Sequence, residues 1–427
     1  MSRSTDPGHF FQTESSLTDA ARKAKKSKNN AGDPIRLKSK ILTIIADPDD
    51  GRGVYVAESA GTARRISLQV CRTAIYFLWS SENAQNKAQV YTGPAAPLAG
   101  LALSPRAASS SSERTLFAGC WDKTIWSWST TSRAQGKRFI GHNDFVKAVI
   151  CVQIAERVLL VSGGADAQII VWDVISGAKL HTLKGHARGV LDLAVDPLSV
   201  DEFGRGVENV KVFSAGSERE IRAWQIDAQS PREIGMNSLL SESGSSSGAL
   251  DDTGAALLAH ETSVNRLFFP LSDASGDFWT ASSDKTAKHI VRSRGWEADT
   301  VLDHPDFVRD VCYDEASGYI VTACRDEGVR VWDPTSGDLV HCFDGHFEEV
   351  TALVVLGRGV GQAGEIVSVS IDGTIRRWGL GKEELQQAKE DAKKEQQESQ
   401  IQDEKPKASM LTEEEERELA ELMEDEE

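Results

Sequence analysis

Between residues 35 and 380 the chain is built of short, β-branched apolar runs such as VLLVSGG and IIVWDV, each bounded by turn residues, with no 3.6-residue apolar period. That pattern predicts strands. After residue 380 it changes abruptly. Residues 382–402 are rich in Glu, Gln, Lys and Ala, good helix formers that here leave almost no apolar stripe. Pro406 ends this stretch, and Thr412 with Glu415 offers a capping box for a short final helix.

Within the strand-rich region one unit recurs. Residues 141–173 read GHNDFVKAVICVQIAERVLLVSGGADAQIIVWD and residues 303–333 read DHPDFVRDVCYDEASGYIVTACRDEGVRVWD. Each opens on Gly-His or Asp-His, passes through two apolar runs and a turn aspartate, and closes on Trp-Asp. Aligning the closing tryptophans places Trp128, Trp172, Trp224, Trp332 and Trp378 six residues after Asp122, Asp166, Glu218, Asp326 and Asp372. A further copy keeps Asp284 but has Ile290 in the tryptophan's place. His142, His186, His260, His304 and His346 open five units at spacings of 42 to 44 residues, apart from a 74-residue gap after His186. An opening unit, ILTIIADPDDGRGVYVAESAGTARRISL, has the run lengths without the histidine, turn aspartate or tryptophan. The count is seven units, the first degenerate, and a fixed period of this size marks a repeat architecture.

These units resemble the tryptophan-aspartate (WD) repeat family over about residues 35–380, and several GH…WD units at this period are a specific signal. The resemblance implies an all-β fold, a seven-bladed WD-repeat β-propeller of four-stranded blades. It also implies that the opening histidine, a Ser or Thr of the second strand, the turn acid and the tryptophan are hydrogen-bonded inside a blade. Three units carry the full set: His142, Ser162, Asp166 and Trp172; His304, Thr322, Asp326 and Trp332; His346, Ser368, Asp372 and Trp378. Such a network stabilises only when complete, since each bond contributes about 1 kcal/mol and an orphaned buried partner costs about 1–3 kcal/mol. The competing reading, a catalytic dyad or metal site, fits poorly with one His–Asp pair per repeat and no nucleophile recurring beside it. The last unit ends at Leu380 with three strands, so residues 35–38 are the expected closing strand.

Charge and composition refine the flanks. Residues 1–33 are polar and carry ARKAKKSK at 21–28, which predicts a disordered basic N-terminal tail. Residues 70–89 interrupt the first unit where its third strand should run into the fourth. They read as an aberrant insert, because Val-Cys-Arg after Gln can be encoded by a splice-donor-like string. Residues 229–257, with SESGSSSGALDDTG inside, read as a flexible loop. From residue 381 an acidic helical or disordered tail follows; from 382 it holds 18 acidic and 7 basic residues, a balance of −11 within the chain's −17. Gly359, Gly361 and Gly364 match GxGxxG formally but fall between two predicted strands, which excludes a dinucleotide loop. Six cysteines without CxxC spacing, no spanning apolar run and no signal peptide point to a cytoplasmic or nuclear setting.

The resemblance implies a platform rather than an enzyme, with no catalytic residue, metal or cofactor expected. Mapped by the repeat, its top face presents Trp121, Ser217, Ser283 and Arg325, then Phe145, Lys147, Asn265, Phe307 and Arg309. Phe145 with Lys147 and Phe307 with Arg309 repeat one aromatic-plus-cation theme, of the kind enriched in binding hot spots. In the tail, Leu411, Leu419, Leu422 and Met423 offer a small apolar face for a partner groove. The expected function is a non-enzymatic scaffold, a monomeric propeller holding other proteins in a complex, with no membrane partner. Two alternatives stand beside it: an RNA-associated platform in ribosome assembly or RNA modification, and a substrate receptor of a ubiquitin ligase. Net acidity counts against direct nucleic-acid binding. The absence of a preceding F-box-like domain, and of an Arg two residues past Trp-Asp, counts against the ligase.

Overall fold

Each run of β-branched residues pairs antiparallel with its sequence neighbour, so every repeat closes a small sheet before the next begins. In this computed structural model residues 14–404 are described, except 69–87, 107–112, 202–204, 207, 228, 242–255, 271–274 and 358–361. Seven sheets form the blades of a β-propeller. Blade 1 comprises Ile41–Ala46, Gly53–Glu58, Ala63–Ser67 and Gln89–Tyr91; blade 2, Leu98–Leu103, Thr115–Cys120, Thr124–Ser129 and Phe139–Ile140. Blade 3 is Val146–Ile154, Arg157–Gly164, Gln168–Asp173 and Lys179–Lys184; blade 4, Val190–Val195, Val210–Gly216, Glu220–Ile226 and Arg232–Ile234. Blade 5 is Val264–Phe268, Phe278–Ser282, Thr286–Val291 and Glu297–Asp303; blade 6, Val308–Asp314, Tyr319–Cys324, Gly328–Trp332 and Leu339–Asp344. Blade 7 takes Val350–Leu356, Glu365–Ser370 and Thr374–Gly379 from the C-terminal side and Ile35–Arg36 from the N-terminal side. Ile35 registers with Ile375 and Arg36 with Thr374, so the ring closes with its two ends hydrogen-bonded.

The core lies between blades rather than at one centre. Hydrophobic clusters join blades 1 and 2, 2 and 3, 3 and 4, 4 and 5, 5 and 6, and 7 and 1. Phe139 of blade 2, for example, sits edge-on to Trp172 of blade 3 at 5.8 Å. Each sheet therefore buries both faces on its neighbours, and no blade has a complete core alone.

One local device repeats in all seven blades. The first strand slips register against the second just after its opening apolar residue, at Ile41/Thr43, Leu98/Gly100, Val146/Ala148, Val190/Asp192, Val264/Arg266, Val308/Asp310 and Val350/Ala352. A bulge of this kind leaves one residue unpaired and re-aims its side chain. The residues skipped are Leu42, Ala99, Lys147, Leu191, Asn265, Arg309 and Thr351, and all seven line a central channel of about 290 Å³.

Two expectations about flexible segments are corrected. The N-terminal region, read as a disordered tail up to residue 33, contains the helix Glu14–Lys26 and an ordered strap leading into the closing strand. Ion pairs from the helix and backbone carbonyls of the strap supply the ordering contacts that composition alone does not reveal. The loop expected at 229–257 is partly structured. Arg232–Ile234 is the fourth strand of blade 4, and Met236 and Leu239 are buried against Trp296 and Phe278. Residues 242–255 lie outside the described residues, as do 70–87 of the suspected insert; its last residue, Gln89, pairs with Arg65 and so belongs to the fourth strand of blade 1. The C-terminal unit contains the helix Lys382–Glu404, and Thr412, Glu415, Leu411, Leu419, Leu422 and Met423 lie beyond the described residues.

In five blades the residue after the turn acid has a left-handed backbone: Lys123 at φ 71°, Ala167 at 62°, Lys285 at 70°, Glu327 at 77° and Gly373 at 77°. Only the last is glycine, the residue that adopts this conformation without strain. Relief of about 1–2 kcal/mol of left-handed strain, less about 0.5–1 kcal/mol of added unfolded-state entropy, leaves Ala167→Gly about 0.5–1 kcal/mol more stable. The urea midpoint should rise with an unchanged m-value; a lower midpoint would refute the strain assignment.

Candidate functional site

The polar signposts meet inside the blades. In blade 3, Trp172 Nε1 donates to Ser162 Oγ at 2.9 Å, that hydroxyl lies 2.8 Å from His142 Nε2, and His142 Nδ1 faces Asp166 at 3.1 Å. Blade 7 repeats this with Trp378, Ser368, His346 and Asp372 at 2.8, 2.7 and 3.1 Å. In blade 4, Glu218 takes the aspartate's place beside His186, whose Nε2 meets Ser214 at 2.6 Å while Trp224 donates to that hydroxyl at 2.7 Å. The longer carboxylate reaches the same ring nitrogen. Blade 5 keeps His260, Thr280 and Asp284 at 2.7 and 2.8 Å without an indole.

In blades 3, 4, 6 and 7 the indole N–H donates to the hydroxyl, and the carboxylate or carbonyl facing Nδ1 can only accept, so Nδ1 carries the ring proton and Nε2 accepts from the hydroxyl. The imidazole is then neutral with its proton on Nδ1, aimed at an acceptor. Burial agrees, lowering the pKa of His142, His186, His304 and His346 below the ordinary value against the pull of any carboxylate nearby. A histidine with its acceptor nitrogen occupied and its proton fixed is a strut, not a base.

Blade 6 corrects the expectation of a third complete set. Thr322 does receive Trp332 at 2.9 Å and bonds His304 at 2.8 Å. His304 Nδ1, however, faces the Leu302 carbonyl at 3.0 Å, and Asp326 is taken by both terminal nitrogens of Arg330. The cause is local. Blades 5 and 7 have Thr286 and Thr374 two residues after the aspartate, whose hydroxyls bond both the carboxylate and the histidine ring. Blade 6 has Gly328 there, and the guanidinium four residues on from Asp326 claims the carboxylate instead. With no carboxylate hydrogen-bonded to it, His304 is pushed down by burial to about 4, against the weaker pull of the Leu302 carbonyl and of Asp326 and Asp303.

At the channel mouth the bulge residues divide into satisfied and unsatisfied. Asn265 donates to Ser283 at 3.0 Å and to the Val308 carbonyl at 2.7 Å, so it stitches blade 5 to blade 6 rather than waiting for a partner. Arg309 is ion-paired with Glu349. Lys147 has no carboxylate within hydrogen-bond reach among the described residues; burial lowers its pKa, with Asp144 opposing and Arg309 assisting. Beside it, Phe145 stacks on Trp121 at 5.0 Å and 12°, bridging blades 3 and 2, and the two rings remain 37% and 38% exposed. Across the ring Arg325 lies over Phe307 at 5.2 Å. Deeper in the channel Arg266 sits between Asp192 at 3.4 Å and Asp310 at 3.1 Å, carboxylates that also accept the Leu267 and Leu353 N–H groups of the next blades at 2.8 Å. These clamp adjacent inner strands, a role no repeat signature revealed.

Burial pushes the Cys120, Cys151 and Cys324 thiols up to about 12, far from the thiolate range a nucleophile needs. Among the described residues no three His, Cys, Asp or Glu side chains are placed to hold a metal ion, and no helix is long and apolar enough to cross a membrane.

A ring of sheets with an indole-hydroxyl-imidazole strut defines a propeller of the protein-interaction class. The chain belongs to the WD-repeat family: WD domain, G-beta repeat matches at residues 134–173 and 297–333, and the WD repeat-containing protein C126.01c of Schizosaccharomyces pombe is 31% identical over 88% of this chain and 90% of its own. The ribosome biogenesis protein WDR12 homolog of Ixodes scapularis is 25% identical over 54% of each chain, and the nuclear distribution protein PAC1-2 of Uncinocarpus reesii 26% over 47% of this chain and 42% of its own. The WD40 β-propeller domain of Doa1 shares the fold, with a TM-score of 0.55 and 18% identity over 81% of this chain and 95% of that one. Propellers of this family generally serve as non-catalytic interaction scaffolds.

Thr322→Val keeps shape but removes the shared hydroxyl, orphaning Trp332 Nε1 and His304 Nε2. At about 1–3 kcal/mol for each orphan, we expect a loss of about 2–6 kcal/mol by urea unfolding; a loss under about 1 kcal/mol would show the network to be dispensable. The histidines also set a pH dependence. His304 has its native pKa near 4 against an ordinary 6.5, so the unfolded chain binds the proton first. Its stabilisation is complete above pH 6.5 and is lost as pH falls towards 4, with His142, His186 and His346 acting in the same direction. Unfolding free energies across that window should fall steadily, and His304→Gln should flatten the slope.

Proposed function

We propose that this propeller is a non-enzymatic scaffold that docks a protein partner over the channel mouth, in the cytoplasm or nucleus. The carrying observation is the Trp121–Phe145 stack, two aromatic rings left a third exposed beside Lys147, a half-buried cation with no carboxylate partner among the described residues. Large rings held rigid by stacking lose little entropy on binding, and aromatic residues dominate interface energetics. Lys147 adds a demand for a negative group. A partner segment presenting a carboxylate next to an aliphatic or aromatic side chain meets both. Phe307 with Arg325 and Arg309 extend the same surface; Asn265, already bonded on both donors, supports it from below. Leu419, Leu422 and Met423 of the tail remain a second candidate contact.

A second reading, an RNA-associated platform, draws support from the similarity to a ribosome biogenesis relative. The net charge of −17 weighs against direct phosphate contact, so any such role runs through protein partners.

The test is affinity purification from native cells with the unaltered chain and with Trp121→Ala/Phe145→Ala, each with and without ribonuclease. The substituted rings lie on the surface, so its thermal midpoint should match the parent's. Partners retained after ribonuclease and lost from the variant are expected. An unchanged partner set in a folded variant would refute the channel-mouth assignment, and loss with ribonuclease alone would favour the RNA-associated reading.

A further inference from the structure

The helix Glu14–Lys26 rests on a notch formed where the turn after the second strand of blade 6 meets the loop joining blades 6 and 7. Arg22 forks the Glu327 carboxylate at 2.6 and 2.8 Å, Lys26 bridges Glu327 at 2.9 Å and Asp344 at 2.8 Å, and Lys23 reaches Glu348 at 2.7 Å. Positions 22, 23 and 26 share one side of a helix, so three cations meet three carboxylates along a single face.

The two halves of this contact are unequal. Glu327 is 6% exposed, and among the described residues its cationic partners come from the helix alone. It also occupies a left-handed backbone at φ 77°, in the position where the other four left-handed turns place Lys, Ala or Gly. Without the helix, Glu327, Asp344 and Glu348 would stand together with no cation beside them among the described residues, so the notch favours a positive occupant. The helix gains far less. Leu17, Ala20, Ala21 and Ala24 are exposed, so these apolar side chains contribute no core contact, and the ion pairs carry the contact with the notch. The Lys23–Glu348 and Lys26–Asp344 pairs reach solvent, contribute about 0–1 kcal/mol each and weaken with salt, so the part-buried pairs to Glu327 carry most of the attachment. Attachment to the ring itself lies further along, where Arg376 donates to the carbonyls of Ala31 and Asn29, and Gly32 packs on Trp378 so closely that a Cβ would come within 2.8 Å. These strap contacts use none of the helix's ion-pairing residues.

We propose that the Glu327–Asp344–Glu348 notch is a binding site for a basic helix of a partner protein, guarded in the free molecule by this chain's own N-terminal helix. The site wants a helix presenting Arg or Lys at i and i+4 with a third cation between. The resident helix meets that demand at high effective concentration and yields to a partner that adds apolar contacts beyond the charges. Release also frees the basic stretch 21–28, so engagement at the notch exposes the most cationic segment of an acidic chain. This inference rests on the scaffold reading but uses the rim, not the Trp121–Phe145 surface.

The probe is a fluorescein-labelled peptide of residues 14–28, titrated in trans against the full chain. Arg22→Glu/Lys26→Glu, which unseats the resident helix, should bind it about 10-fold or more tightly than the unaltered chain, and adding Glu327→Gln should remove the gain. Raising NaCl from about 0.05 M to about 0.5 M should weaken the complex. Equal binding to both chains, or binding indifferent to Glu327→Gln, would overturn the proposal. Hydrogen exchange on the unaltered chain gives a readout independent of any folding defect in the variants: excess peptide should speed exchange across residues 14–26, and protection that does not change refutes displacement. Trp121→Ala/Phe145→Ala should bind the peptide as the parent does, so failure of the channel-mouth reading leaves this result standing.

Discussion

A serine or threonine hydroxyl held between an indole and an imidazole is the interaction on which the rest of this propeller depends. Ser162, Ser214, Thr322 and Ser368 each accept from a tryptophan on the third strand while lying against a histidine that comes in ahead of the first. One buried atom thereby joins two strands of a blade to the loop arriving from its neighbour. Because the donor directions are forced, the ring tautomer follows, and with it the position of the turn acid. Blade 6 shows how much slack the arrangement tolerates: a backbone carbonyl replaces the carboxylate because it too can only accept.

The second constraint is closure. Blades that bury both faces on their neighbours have no stable terminal copy, so seven sheets must meet end to end. The two-residue strand Ile35–Arg36 completes blade 7, and the strap before it lays backbone carbonyls against Arg376, whose burial lowers its pKa to about 10. Blade 7 differs here from blade 6. The arginine four residues past the turn acid binds the strap in one and the carboxylate in the other, which leaves Asp372 free for His346 and denies Asp326 to His304. The ends of the chain and the chemistry of a single blade are thus coupled.

The same bulge in every blade turns seven side chains towards the axis, and their identities separate stability from recognition. Asn265 and Thr351 are consumed in holding neighbouring strands, and Arg309 in an ion pair. Lys147 and the stacked pair Trp121 and Phe145 are what the fold leaves over, and surplus chemistry on a rigid ring is where binding is expected.

The sequence by itself determined the repeat count, the strand-rich blades, the ring-closing segment and the members of the blade 3 and blade 7 networks, because polar residues recur at a fixed spacing that resembles the WD repeat. It also separated the helical tail from the strand-rich region. What only the tertiary structure decided were the contacts between distant segments. The order of residues 14–33, the capture of Asp326 by Arg330, the stitching role of Asn265 and the Asp192–Arg266–Asp310 clamp all depend on which side chains the closed ring brings together. Composition marked 21–28 as basic and therefore solvated, yet Glu327, some 300 residues away in the chain, supplied the partner that ordered it. Local propensity reads neighbours along the chain; a buried charge is settled by neighbours in space.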